Sequence, residues 1–397
     1  MRPRRPRVLV LARAYPNDVL PTLGLWTEQP TVRLAETCDV RVVSPVPWCP
    51  PVPEAGPLAQ YTRFRRAARS ERRNGVEVRR PRFIVGPGTS LYPLEARAYE
   101  AGVRRTVERM HRERPFDLLH AHFIYPDGVV AHRLSRRLGV PFVVSEHAPW
   151  TDWLDRPGVA RQALPAARAA AAILAVSTSV ERTIRAYAGD GPRVEVVPVG
   201  VDPERFRLRP DVERRADQIL FVGFLNYVKG VDVLLRAMRL LADRGLPGRL
   251  LLVGGSFYRN TRLQEQELRA LAARLELGDR IAFLGRRPPE EVARLMAESA
   301  VLVLPSRAES FGAVLVEALA CGTPVVATRC GGPEDIVTPE VGSLVPVEDA
   351  DALARALAVV LSSQDRFRSE GLRRVTLERF DWGSITTRIL GVYDEVG

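Results

Sequence analysis

The chain has 397 residues, 46% hydrophobic and 26% charged, enough apolar material for two or three cores and far from a disordered composition. Its formal net charge of +11 is carried entirely by residues 1–202, where 31 arginines face 20 acidic residues; the remainder holds 27 of each sign. Four cysteines (Cys38, Cys49, Cys321, Cys330) without C-x-x-C spacing argue against a zinc site and fit a reducing cytoplasm, and no apolar run reaches the roughly 18 residues of a membrane span.

The basic start is followed by too few apolar residues for a secretory leader. From there, short apolar runs alternate with helical periodicity, which predicts parallel sheets with crossover helices. The first half offers strands near 8–11, 40–43, 76–78, 118–120, 142–145, 172–176 and 194–197. The second offers 219–222, 250–253, 281–283, 301–304 and 325–327. The pattern gives two doubly wound α/β domains, 1–202 and 203–380, joined through a Pro/Gly segment at 198–210. A closing helix near 382–393, in the tail 381–397, is expected to pack back on the first domain. Tandem sheets of this kind place ligands at strand carboxyl ends, in a cleft between them.

Lys229 is the only lysine among 58 basic residues. A compact ammonium suits a crowded phosphate better than a planar guanidinium, and Lys229 sits where a loop leaves a strand and Gly230 opens a helical pattern. The sharpest constellation follows the strand at 301–304. Ser310 is the expected N-cap and Gly322 the C-cap of a helix over 311–321, whose first amides, from Phe311 with Gly312 beside it, would receive an anion. Glu317 lies seven residues after Ser310, hence on the same face and ~10 Å along the axis. A lone carboxylate in that apolar run needs a partner, which vicinal ribose hydroxyls would supply. Glu309, just before the cap, would then reach sugar hydroxyls beyond the phosphates.

In the first domain all five histidines fall between residues 111 and 147. Alternation in 117–122 turns His120 and His122 to one side at a strand end, with packing or loop hydrogen bonds and a functional cleft-facing role both open readings and metal binding a minor one. Gly24, in the loop after the first strand, reads from the residues alone as a turn glycine. Asp127 either caps a helix or touches an acceptor. Between Arg63 and Arg82, nine arginines face only Glu71 and Glu77, a segment suited to an anionic membrane surface, a phosphorylated acceptor, nucleic acid or plain solvent.

With Glu309, seven residues and Glu317 in this setting, the chain resembles the retaining GT-B glycosyltransferases of glycosyltransferase family 4, built from two Rossmann-like domains facing a cleft. The segment 197–203 is similar to the family's inter-domain stretch, Val222-Gly223 with Lys229-Gly230 to its diphosphate loop, and Val253-Gly254 to its next strand end. Leu284-Gly285-Arg286 is similar to its base-contacting turn, and Gly331-Gly332-Pro333-Glu334 to its final cleft loop.

The resemblance implies that Lys229 neutralises a donor diphosphate, that Arg286 reads the base through its backbone, and that His147 contacts the transferred sugar. Gly24, Gly223, Gly254, Glu309, Ser310, Phe311, Gly312 and Glu317 complete the implied donor site; His122 and Asp127 stand on the acceptor side. The chain departs from the pattern at Phe224, where many members carry arginine, at Ser256, where many carry glycine, and at His147-Ala148. The implied reaction moves a sugar from a nucleotide-diphosphate donor to an acceptor hydroxyl by front-face attack, with neither metal nor cofactor.

The charge split points to a lipid-linked or anionic glycan acceptor in envelope or exopolysaccharide assembly. It also points to an anionic membrane surface met through Arg63 to Arg82 at the inner face of the plasma membrane, with no nucleic acid expected. The rival readings are a nucleotide-sugar epimerase of the same fold and a non-catalytic protein that binds nucleic acid or membrane through the basic half.

Overall fold

The computed structural model describes residues 4–48, 59–85, 92–150, 154–255 and 259–396. The chain divides into two compact units: unit 1 is residues 1–198 with 382–397, and unit 2 is residues 199–381.

Among the described residues, unit 1 is built on the strands β1 (Arg7–Leu11), β2 (Asp39–Val43), β3 (Val46–Trp48), β4 (Ser70–Arg73), β5 (Val76–Arg79), β6 (Arg82–Ile84), β7 (Leu118–His122), β8 (Phe142–Glu146), β9 (Ala172–Ala175) and β10 (Val194–Val196). Eight of them form one sheet in the order β10-β9-β8-β7-β1-β2-β5-β4, while β3 and β6 form a small ribbon. β1, β7 and β8 are buried along nearly their whole length, which is why they read as unbroken apolar runs. Every pair is parallel except β4–β5. That hairpin turns on Asn74-Gly75, both at positive φ (48° and 81°), the backbone a two-residue turn between twisted strands requires.

The helix Glu95–Glu113 buries Tyr99, Val103, Val107 and Met110, a stripe at three- and four-residue spacing that covers one face. The last helix, Trp382–Val396, packs on Leu25–Thr37, so the end of the chain completes the unit in which it began. Successive strands run outward from β1 in one direction and from β7 in the other, so the topological switch point lies between them.

Unit 2 adds β11 (Arg215–Phe224), β12 (Arg249–Gly255), β13 (Ile281–Gly285), β14 (Ser299–Leu304), β15 (Val325–Thr328) and β16 (Gly342–Val345), all parallel, in the order β13-β12-β11-β14-β15-β16. Its switch point lies between β11 and β14. Gly223 and Gly254 are register partners on β11 and β12, and Gly254, at φ 140°, would set a Cβ 1.7 Å from the Gly223 carbonyl oxygen. Only glycine fits there.

Three expectations change. The units divide after Pro198, not after Asp202, because the Val201 N–H donates to Phe380 O at 2.8 Å and bridges Asp381, tying 199–202 to unit 2. The strands β3, β4, β6 and β16 are absent from the sequence reading; each is short and also interrupted by proline, charge, glycine or serine, so neither an apolar run nor an alternation marks it. The helix expected over 311–321 spans Ala313–Ala320, with Gly312 at its cap (φ 97°, ψ 50°) and no capping bond from Ser310. Gly322 does follow the end, with its N–H donating to Leu319 O and Thr323 N–H to Ala318 O.

Candidate active site

At the unit 2 switch point, β11 delivers Lys229 and β14 delivers Glu309, and the two side chains form an ion pair. Asn226 builds the lysine's turn by accepting the Lys229 N–H through its side chain at 3.1 Å. Gly230 ends the turn at φ 64°, where a Cβ would lie 2.0 Å from Pro305 O. Arg307 locks this loop to the β14 loop: its N–H donates to Val228 O at 2.7 Å, its guanidinium bonds both oxygens of Asp232 at 2.9 and 3.0 Å, and it lies 3.8 Å from the Tyr227 ring centroid. Fully committed to those partners, Arg307 is scaffold, and Lys229 is the cation left facing a carboxylate.

The Glu309 Oε2 that faces Lys229 also accepts the Ser306 hydroxyl at 3.4 Å, and the Glu309 backbone bridges the loop after β15. There the Gly332 N–H donates to Glu309 O at 2.8 Å, and a Cβ on Gly332 would come within 2.3 Å of Phe311 Cα. The expected anion-binding amides therefore move: Gly312, Ala313 and Val314 precede the first intrahelical bond, whereas Phe311 is core, its ring 5.8 Å from Phe380. Ser310 stands in the loop before them, half-buried. Glu317 lies half-buried on the helix among apolar neighbours, and desolvation pushes its pKa up to about 8, opposed by Arg205. Arg205 itself is paired with Glu290 at 3.0 Å. Arg286 follows Gly285 (φ 69°) at the end of β13, exposed beside the Gly223–Gly254 strand ends, with its Cγ 3.7 Å from a Cβ built on Gly255. Phe224 is 45% exposed at the end of β11. Ser256 lies outside the described residues.

In unit 1 the expected residues are packed more deeply. His120 and His122 do share a face, stacked at 4.7 Å between centroids, and His122 stacks in turn on His147 at 5.2 Å. His122 Nδ1 and His147 Nε2 share a hydrogen bond of 2.9 Å. His120 is bonded on one ring nitrogen to Tyr393 of the last helix and on the other to Ser145 Oγ at 2.8 Å, which leaves that ring no lone pair for a metal. Burial lowers the pKa of His120 and of His147 to about 3, and that of His122 well below its usual value. All three are neutral at physiological pH.

Asp127 neither caps a helix nor reaches outward. It is 1% exposed, and its Oδ1 accepts the Arg13 N–H at 2.7 Å and the Tyr99 hydroxyl at 2.9 Å, joining the loops after β1 and β7 at the switch point. A buried carboxylate that binds two loops satisfies donors that solvent cannot reach, so it is an internal fastener and not an acceptor contact. Gly24 caps Leu25–Thr37 at φ 81°, and a Cβ there would lie 2.1 Å from Ala14 O, so the turn requirement alone accounts for it.

The sequence reading passed over Glu146. Fully buried, it accepts four N–H bonds: Oε1 from His147 and Ala148 at 3.0 and 3.1 Å, Oε2 from Ile124 and the Trp150 indole at 2.8 and 2.9 Å. Desolvation raises its pKa to about 7 against those four bonds. A buried acid directly before His147 was the available signal.

The profile of Glycosyl transferases group 1 matches residues 204–373, and that of Glycosyltransferase Family 4 matches residues 33–205. The D-inositol 3-phosphate glycosyltransferase of Acidothermus cellulolyticus is 33% identical over 352 residues, covering 80% of this chain and 76% of that protein. That of Saccharomonospora viridis is 34% identical, covering 84% of each. Among solved structures, sucrose-phosphate synthase (tll1590) of Thermosynechococcus elongatus superposes with TM-score 0.81 at 22% identity over 99% of both chains. Alr3699/HepE of Anabaena, in complex with UDP and glucose, superposes with TM-score 0.74 at 20% identity over 98% of this chain and 100% of that one.

Two doubly wound parallel-sheet units, each gathering charged or imidazole side chains at its own switch point, give the GT-B fold, and the family matches make the chain a glycosyltransferase. The chain belongs to glycosyltransferase family 4. Among its described residues no helix is long and apolar enough to cross a membrane.

Proposed function

We propose that this glycosyltransferase moves a sugar from a nucleoside diphosphate donor to a hydroxyl of a phosphate-bearing acceptor, with retention at the anomeric carbon. The observation that carries the reading is the Lys229–Glu309 pair at the β11/β14 switch point. A diphosphate competing with Glu309 for Lys229 would take the ammonium and the Gly312–Val314 amides together, freeing the carboxylate for sugar hydroxyls. Glu317, whose apolar setting favours a hydrogen-bonded partner, would receive the ribose.

The bond from the anomeric carbon to the diphosphate oxygen breaks on the face where the acceptor oxygen arrives, and the acceptor proton passes to the departing phosphate. His147, neutral because burial lowers its pKa to about 3, suits a hydrogen bond to a sugar whose anomeric carbon becomes positive. No step is assigned to a metal or cofactor.

The arginine excess of residues 1–202 supports an anionic acceptor, and the names of the relatives, D-inositol 3-phosphate glycosyltransferases, point to a small phosphorylated polyol. A lipid-linked acceptor at a membrane rests on that charge and on the exposed Arg63, Arg65 and Arg66.

Calorimetry with UDP, GDP and ADP tests the donor half. One nucleotide should bind with micromolar affinity and lose at least tenfold in Lys229→Ala and Glu317→Ala; binding of none by folded protein would overturn the reading. Transfer assays with inositol phosphate and with lipid phosphates then separate the two acceptors.

A further inference from the structure

Away from both switch points, unit 1 carries a cavity of about 600 Å³ on the β4 edge of its sheet, lined by Arg69, Arg72, Arg79, Arg80 and Arg109. Its two glutamates are already engaged, Glu71 with Arg80 at 2.6 Å and Glu77 with Arg79 at 2.7 Å. Arg80 is the informative member. It is 1% exposed, and its NH2 donates to Pro16 O and to Glu71, both at 2.6 Å. Its Nε and NH1, however, have no partner among the described residues. Both nitrogens are also sealed from solvent, so Arg80 places a buried positive charge behind the cavity wall, while the donors that reach the cavity come from the exposed arginines. Next to it, Arg82 gives one nitrogen to Ala67 O at 2.6 Å and leaves its NH1 unpartnered too. Burial lowers the Arg82 pKa, as does repulsion from Arg69 and Arg80, so the like charges crowd one another. Arg69 and Arg109 stand exposed at the mouth, with Thr106 and Ser70 offering hydroxyls.

We propose that this pocket is a binding site for a phosphate-bearing anion, a phosphate monoester or diphosphate, separate from the donor and sugar sites. Forked guanidinium donors match phosphate oxygens two at a time, and the volume is that of a small ligand rather than a bare ion. The lining is too polar to hold a nucleotide base. β4 lies four strand spacings from β7, roughly 19 Å from the strand that carries His120 and His122, so the bound phosphate is not the reacting one. The site fills whether the phosphate belongs to a soluble metabolite or to a lipid headgroup.

The test is titration of full-length protein with inorganic pyrophosphate, by calorimetry and by thermal shift, in parallel with UDP. Because Arg69 and Arg109 are exposed, Arg69→Gln/Arg109→Gln should fold normally and bind pyrophosphate at least tenfold more weakly, with UDP binding unchanged. Arg80→Met, which removes buried charge behind the cavity, should reduce the pyrophosphate-induced rise in Tm. Pyrophosphate affinity untouched by the double change, or abolished by Lys229→Ala, would overturn the proposal, the latter by placing the anion in the donor site. Vesicles of phosphatidic acid against phosphatidylcholine identify the source. Arginine-dependent capture by the former alone assigns the site to a lipid headgroup, and pyrophosphate binding without capture assigns it to a soluble phosphate.

Discussion

Lys229 and Glu309, 80 residues apart in the chain, meet as an ion pair because β11 and β14 are neighbours in the unit 2 sheet. Two groups that the sequence assigns to different parts of a donor are thereby poised to be separated by one ligand. In Lys229→Ala, kcat/KM for transfer should fall about 10²- to 10³-fold, the usual loss of a transition-state cation or donor. Lys229→Arg should not rescue it, since the loop is closed around a compact ammonium by Gly230 and Arg307. Glu309→Gln should bind the nucleotide several-fold more tightly while transferring more slowly, because Lys229 no longer has to leave a carboxylate. Steady-state kinetics on the two single variants and their combination should show strongly non-additive losses. Equal weakening of nucleotide binding in both single variants would contradict the exchange.

Glu146 and Asp127 are both buried acids with pKa raised to about 7, yet their amides should behave differently. Both Glu146 oxygens accept two N–H donors, so Glu146→Gln turns an NH2 toward two of them and should lose about 3 kcal/mol. In Asp127 one oxygen takes both the Arg13 and Tyr99 bonds, so Asp127→Asn keeps them. A folded pKa above the unfolded value of ~3.9 means that the native state holds the extra proton between the two. Asp127 thus lowers wild-type stability by up to roughly 1.4 kcal/mol per pH unit from about pH 4 to pH 7. Denaturant titrations of Asp127→Asn should show a shallower decline over that window.

The three stacked histidines should remain neutral far below the usual imidazole range. Nitrogen-detected NMR should find no protonation of His120, His122 or His147 between pH 8 and pH 5, as burial holds all three pKa values down. Tyr393→Phe should perturb the His120 signals first and remove about 1 kcal/mol from unit 1, leaving unit 2 untouched. Protonation of the cluster near pH 6.5 would contradict this packing.

Glycines at positive φ should separate by what surrounds them. Gly254→Ala drives a Cβ into the Gly223 carbonyl and should cost more than about 3 kcal/mol, with loss of nucleotide binding. Gly75→Ala, at φ 81° but with nothing within 4 Å, should cost only about 1 kcal/mol. Thermal melts of the two variants make the comparison directly.

The sequence by itself determined the two doubly wound units, the strands marked by an apolar run or alternation, the lone lysine and the glycines at its loop. Each is written in local period, in side-chain volume at strand ends, or in the need for positive φ. Ser310 misled because a good capping residue competes with Gly312, whose left-handed backbone starts the helix two residues later. What only the tertiary structure decided is which charges meet and which lose water. Lys229 takes Glu309 because sheet order, not chain order, brings their loops together. His147 is neutral because His122, Phe123 and buried strands enclose it. Asp127 is a fastener because two loops close over it, and some of the arginines between Arg63 and Arg82, whose run alone left membrane, phosphorylated acceptor, nucleic acid and solvent all open, line a pocket because β4 folds back on β5 beside the Glu95–Glu113 helix. Partner choice and desolvation depend on groups distant in the chain, and no local pattern carries them.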